Sequence, residues 1–262
     1  MRGVRTPSAA AAVIVETLAP VETLRVRHDE IVKGGPIAGS PAAVEATHPL
    51  GQYATRIASF RWAAASENAL AWYRLVADAR VMTMAAHCTL ARAALEGAAV
   101  CRWLVERELT VEERRWRGTV AQLEDYRQRR SFERSIGLDE SRWIAPGKPA
   151  RVRQADLERE VKRHGVADRR MPGMTDLFRT YVRPEQGVDG EWVYRILSGF
   201  AHGYEWAIWL SDRGEPQAIP GLSGTFAVRT TGSDRWAVTA ATVTMQTPTA
   251  ALDELAAHEG RM

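Results

Sequence analysis

Residues 53–107 constrain the fold more than any other part of the chain. From 53 to 79 the side chains of Tyr53, Ile57, Phe60, Trp62, Leu70, Tyr73 and Val76 recur at intervals of about three and four, with no Gly or Pro inside, which predicts a long helix. Residues 81–107 are helical in pattern but apolar on nearly every side, so this second helix needs neighbours all around it and belongs at the centre of a bundle. Two such helices in series direct the chain to helix-on-helix packing, and we read it as all-α.

The remaining signals extend the bundle. Thr110 and Glu113 have capping-box spacing, in which the threonine hydroxyl accepts from an early amide while the glutamate reaches back, and they open a third helix through about Arg130. Residues 151–164 form a charged amphipathic helix ended by Gly165, Pro172-Gly173 precedes a short helix at 175–182, and Asp189 caps a helix from about 191 to 210 with a break at Gly203. Residues 139–147 read as a linker and 184–190 as a turn-rich loop. The stretch 211–232 is mostly loop, with 225–229 as its one plausible strand, and 234–259 divides at Pro248 into an ambiguous half, 236–245, read as helix, and a clearer helix, 249–258. Residues 1–48 show no persistent helical period, contain short β-prone pieces and end in Pro36, Pro41 and Pro49. The resulting division is a flexible arm over 1–48, a helical bundle domain over 49–210, and an irregular C-terminal extension over 211–262 that packs on the bundle.

Composition narrows the function classes. A chain of 262 residues with 45% hydrophobic and 26% charged residues is globular. Its best membrane candidate, 81–101, is interrupted by His87, Arg92 and Glu96, so a soluble, cytoplasmic protein with no membrane partner is expected. Arg2 and Arg5 precede the apolar run 9–15, but Glu16 ends it, which makes the start an unstructured leader. Cys88 and Cys101 sit thirteen residues apart on one expected helix, about 20 Å at the helical rise and beyond disulfide reach. They are read as buried thiols. The six histidines are scattered and no cysteine pair has zinc-ligand spacing, so no metal and no cofactor are expected. Strings of the phosphate-loop, dinucleotide, esterase-elbow and zincin types are absent. Residues 102–170 carry 18 Lys/Arg against 13 Asp/Glu. Arginine forks suit phosphate, yet the interleaved acids favour solvated helix faces.

Chemistry concentrates in the string from Tyr194 to Gly203. At about 100° per residue, Arg195, Ser198 and His202 fall within roughly 60° of one another on one helix face. A histidine there can exchange protons with a ribose 2′-hydroxyl or a leaving 5′-oxygen, an arginine can bind the phosphate, and the serine can add a hydrogen bond. A homodimer would bring a second histidine to the same cleft. On the central helix Arg92 and Glu96 stand four apart, a spacing that lets guanidinium and carboxylate meet. They are candidates to orient Arg195 or His202, or to contact phosphate. The same residues also admit a purely structural role, in which His202 caps its helix and Arg195 pairs with an acid such as Glu96.

The Arg195 to His202 spacing, with six residues between, and the Tyr-Arg-x-Leu-Ser-x-x-x-His string behind an Arg92-x-x-x-Glu96 helix resemble the HEPN superfamily. The resemblance implies a helical bundle, frequently dimeric, with Arg195 and His202 as the catalytic pair of a metal-independent ribonuclease in toxin or defence members. Other members have no activity.

Two further readings stand beside RNA binding or cleavage. One is a non-catalytic interaction protein that binds a protein partner, in which His202 is sealed from solvent. The other is a small-molecule enzyme with an enclosed cavity lined by Trp192, Trp206, Arg92 and Glu96. Trp192, Trp206 and Trp209 surround the motif, and we read Trp206 and Trp209, three apart, as core, although aromatic walls there could also stack a base.

Overall fold

The computed structural model describes residues 9–137, 149–165, 170–182, 189–208 and 234–261, with four short strands between the last two spans. The expected linker at 139–147, most of the loop at 184–190, the first eight residues of the leader, and Trp209 lie outside the described residues. The protein is all-α: its elements are α1 (Ala9–Leu18), α2 (Val21–Gly34), α3 (Pro41–Ala46), α4 (Gln52–Ala77), α5 (Met84–Val105), α6 (Val111–Ser135), α7 (Ala150–Arg163), α8 (Met174–Tyr181), α9 (Gly190–Ala201), α10 (Glu205–Ile208) and α11 (Asp234–His258). Four two-residue strands, β1 (Asp212–Arg213), β2 (Gln217–Ala218), β3 (Phe226–Ala227) and β4 (Thr230–Thr231), form two minimal antiparallel ladders. Asp212 pairs with Thr231 and Gln217 with Ala227, so the stretch read as mostly loop contains a nested hairpin, and β3 falls inside the expected strand. Among the described residues no helix is long and apolar enough to cross a membrane.

The flexible arm is a correction. Residues 9–46 hold three helices, and Ala11, Ile14, Leu18 and Val21 are buried at three- and four-residue intervals. The β-branched cluster Val13-Ile14-Val15 suggested strand, but burial of one helical stripe outweighs intrinsic preference. Helix α3 starts as Ser40 predicts, its hydroxyl accepting from the Ala43 amide at 3.2 Å with Pro41 in the first turn. The division at Pro248 is also corrected, because α11 runs through it. Proline lacks an N–H, so the turn around it is one helical bond short. The Trp62 indole donates to the Pro248 carbonyl at 2.8 Å and the Thr249 hydroxyl to the Met245 carbonyl at 2.7 Å, holding that turn in place.

The chain forms two compact units. The first comprises Met1–Glu30, Arg61–Val100 and Met174–Leu252, not the contiguous 49–210 block read from the sequence. Its core holds Ile14, Leu18, Trp62, Trp72, Leu95, Leu177, Phe178 and Leu252, each almost fully buried. His28 stacks on Trp62 with ring centroids 4.5 Å apart. Gly97 lets α5 approach α4 closely, since a Cβ there would meet the Arg61 carbonyl and Ala65. Cys88 and Cys101 remain thiols. Burial pushes the Cys88 thiol up to about 12, which leaves it unreactive at neutral pH.

The second unit comprises Ile31–Phe60, Cys101–Gly173 and Asp253–Met262. Here α6 packs on α3 and on α7. Thr110 caps α6 as its sequence predicts, accepting from the Glu113 amide at 3.1 Å. Three arginines of this unit meet carboxylates: Arg114 of α6 with Glu45, Arg102 of α5 with Glu254 at 2.8 Å, and Arg117 of α6 with Glu106 at 3.0 Å. The first pair is sealed, with Glu45 0% and Arg114 5% exposed. Beside it His258 lies 3.6 Å from Glu45 and 2.9 Å from the Thr55 hydroxyl. Gly118 faces Ala54 of α4 so closely that a Cβ would overlap the Ala54 backbone. Gly118→Ala is therefore expected to destabilise by about 1–3 kcal/mol by overpacking, despite the roughly 1 kcal/mol by which alanine is the better helix former. Urea denaturation checks the sign, and a gain in stability would contradict this close contact.

Candidate functional site

The local chemistry of α9 sets the site. Asp189 caps its start by accepting from the Glu191 amide at 2.9 Å. Its inner face buries Ile196 and Phe200 against Ala207, with Cys88 and Trp236 packed alongside. The end is a Schellman turn: His202 occupies the C-cap, Gly203 follows at φ +66°, Gly203 N–H donates to Phe200 and Tyr204 N–H donates to Gly199. Glycine at 203 supplies the left-handed conformation that a side chain would resist. Past this turn α10 folds back, and the absence of a side chain at Gly199 lets Trp206 and Ala207 lie against α9.

His202 is exposed, and its Nε2 lies 2.9 Å from a terminal nitrogen of Arg92. A guanidinium only donates, so Nε2 is the acceptor in this contact and the proton of the neutral ring sits on Nδ1. Arg92 is held in turn by Glu96, at 2.7 Å from Nε, and its guanidinium lies over the Tyr194 ring at 5.4 Å. Tyr194 leans on Phe178 of α8 at 4.9 Å. The expected pairing of Arg92 with Glu96 is present, and through Arg92 it reaches His202 rather than Arg195.

Arg195 stands apart. It turns back along its own helix to Glu191, 2.7 Å away, and its side chain is 63% exposed. The expectation that it pairs with Glu96 gives way to this local bond, because an acid four residues earlier on the same face is reachable without leaving the helix. Glu191 also takes Arg179 of α8 at 2.5 Å, and these two guanidinium contacts, Arg179 first, hold its carboxyl below the usual range. Ser198 is half-buried on the same helix, and its carbonyl accepts from the His202 amide at 3.0 Å.

The aromatic surroundings differ from the core expected of Trp206, which is 48% exposed, as is Tyr204 at 53% and Trp192 at 39%. Tyr204 lies beside His202 with ring centroids 5.7 Å apart, and Trp192 meets Trp236 at 4.5 Å. The two tryptophans expected as walls of an enclosed small-molecule cavity are thus both open to solvent. Among the described residues no group of three or more His, Cys, Asp or Glu is placed to hold a metal ion.

A second grouping went unpredicted. His48 and His164 face each other with centroids 4.6 Å apart and T-shaped geometry, although the sequence separates them by more than a hundred residues and offers no spacing to find them by. Compared with protein families, curated proteins and solved structures, the chain matches none.

Proposed function

We propose that this protein binds RNA and cleaves it without a metal ion at the site built on His202, Arg92 and Arg195. The observation that carries the reading is the exposed His202 imidazole, which stands at the surface rather than in a sealed interior, with its Nε2 lone pair accepting from Arg92. The HEPN resemblance of the Arg195 to His202 spacing adds a family expectation to that geometry.

In the mechanism we envisage, an incoming phosphodiester draws the Arg92 guanidinium onto its oxygens and frees Nε2 of His202. That nitrogen takes the proton of the ribose 2′-hydroxyl, the 2′-oxygen attacks phosphorus, and the 5′-oxygen leaves with a proton from a second imidazole that enters the step as the imidazolium. A homodimer in the cytoplasm would supply that imidazole as His202 of the other copy. Arg195 joins the phosphate by releasing Glu191, an exposed pair that solvent already screens. Ser198 adds a hydrogen bond, and the open faces of Tyr204 and Trp206 give adjacent bases a surface to stack on.

The test is labelled RNA incubated in EDTA with wild type and His202→Ala, followed by end-group analysis. Cleavage to 2′,3′-cyclic phosphate ends by the wild type is expected to fall by about 10²–10⁴-fold in the variant, with stability within about 0.5 kcal/mol because the side chain is exposed. Absence of cleavage by wild type at concentrations where it self-associates would overturn the catalytic reading and leave an interaction protein that binds a protein partner.

A further inference from the structure

Tyr194 and Ser198 of α9 and His202 at its C-cap follow one another at four-residue steps, so they share a strip of the helix surface that drifts by about 40° per step. Arg92 of α5 reaches both ends of that strip. Its guanidinium carbon lies 5.4 Å from the centre of the Tyr194 ring, and one terminal nitrogen lies 2.9 Å from His202 Nε2. The third contact is Glu96, whose carboxylate accepts from Arg92 Nε at 2.7 Å. Tyr194 is half-buried and leans on the fully buried Phe178 of α8, with 4.9 Å between ring centroids, so the ring against the guanidinium is anchored in the core.

Glu96 by itself does not fix this arrangement. A hydrogen bond at Nε secures one edge of the planar guanidinium and leaves the plane free to tilt about that bond. A ring face against the cation removes the tilt, and the attraction is stronger than in open water because the Arg92 side chain is only 22% exposed. With its edge held by Glu96 and its face by Tyr194, the guanidinium keeps a terminal N–H directed at the imidazole. Because a guanidinium can only donate, it selects the His202 tautomer with the proton on Nδ1, the reverse of the form that a histidine ring left to water favours.

We propose that Tyr194 is a positioning residue of the candidate site: by holding Arg92 against His202 it sets which ring nitrogen of His202 is free of a proton, and so which nitrogen is ready to act as a base. Its role in cleavage rests on the RNA-cleavage reading, whereas the tautomer is a property of the folded chain with or without substrate. The contact is made by the ring face, so the phenol hydroxyl is dispensable to it.

The test is nitrogen-15 NMR of the full-length protein labelled at histidine, at pH about 9, where imidazoles are neutral, in wild type, Tyr194→Phe, Tyr194→Leu and Arg92→Gln, with the His202 signals assigned from His202→Ala. In wild type and Tyr194→Phe, Nε2 of His202 is expected to resonate as the unprotonated nitrogen and Nδ1 as the protonated one; in Tyr194→Leu and Arg92→Gln the proton moves to Nε2. The kcat for RNA cleavage should fall by about 10²-fold in Tyr194→Leu through misplacement of Arg92 and return to the wild-type level in Tyr194→Phe. A tautomer unchanged in Tyr194→Leu, whatever happens to its melting temperature, leaves Tyr194 as mere packing between α8 and α9 and overturns the proposal. So does a tautomer that responds to Tyr194→Leu but not to Arg92→Gln, since the effect would then bypass the guanidinium. If Tyr194→Leu does not fold, Tyr194→Met, a flexible apolar replacement, carries the same comparison. A wild type that shows the expected tautomer pattern and cuts no RNA overturns the cleavage reading alone and supports the positioning of Arg92 by Tyr194.

Discussion

Replacing Arg114 with methionine is expected to lower stability by about 3–5 kcal/mol, because it strands the Glu45 carboxylate in a fully buried position. Glu45 on α3 accepts from Arg114 Nε on α6, and no water-facing route exists for a side chain that is 0% exposed. The double replacement Glu45→Leu with Arg114→Met removes both charges, and most of the lost stability is expected to return, since a buried pair is often no better than apolar packing of similar volume. Chemical denaturation of wild type, single and double variants measures the cycle. A single variant within about 1 kcal/mol of wild type would show that this pair is hydrated in solution.

The second large effect is on the pH dependence of folding. Burial, and next the Arg114 charge, push the His258 imidazole down to about 3, whereas an unfolded histidine titrates near 6.5. The unfolded chain therefore holds the extra proton between these values, and stability falls as pH drops from about 6.5 toward 3, by on the order of 5 kcal/mol in full. The groups facing His258 are Thr55, Glu45 and Arg114. Glu45, whose carboxyl burial raises against the pull of Arg114, acts in the opposite sense above pH about 4.5. Comparison with His258→Gln isolates the histidine: the wild type should lose stability more steeply than the variant across pH 6.5 to 4. Parallel slopes would place the imidazole in contact with water and sink the prediction.

The legible parts of the fold share a property. Helices α4 to α9 were readable because a 3.6-residue period and a cap act within one or two turns: Thr110 and Asp189 bond amides two or three residues ahead, and Gly203 ends α9 through its own backbone. Helices α1 and α2 were hidden because their sequences carry β-branched and turn-forming residues, and what makes them helices is burial of Ile14, Leu18 and Val21. The unbroken path of α11 through Pro248 depends likewise on Trp62, 186 residues away along the chain.

The same distinction runs through the site. That Arg195, Ser198 and His202 share one helix, and that Arg92 and Glu96 can meet, followed from the sequence alone, since each is a relation within a few residues on a regular helix. Tertiary structure decided that Arg92 reaches His202 across 110 residues, that Tyr204 and Trp206 stay in solvent, and that His48 and His164 meet. Local geometry follows from backbone periodicity, but which distant side chains become partners depends on how buried apolar faces bring helices together, and one chain read in order does not contain that information in any local window.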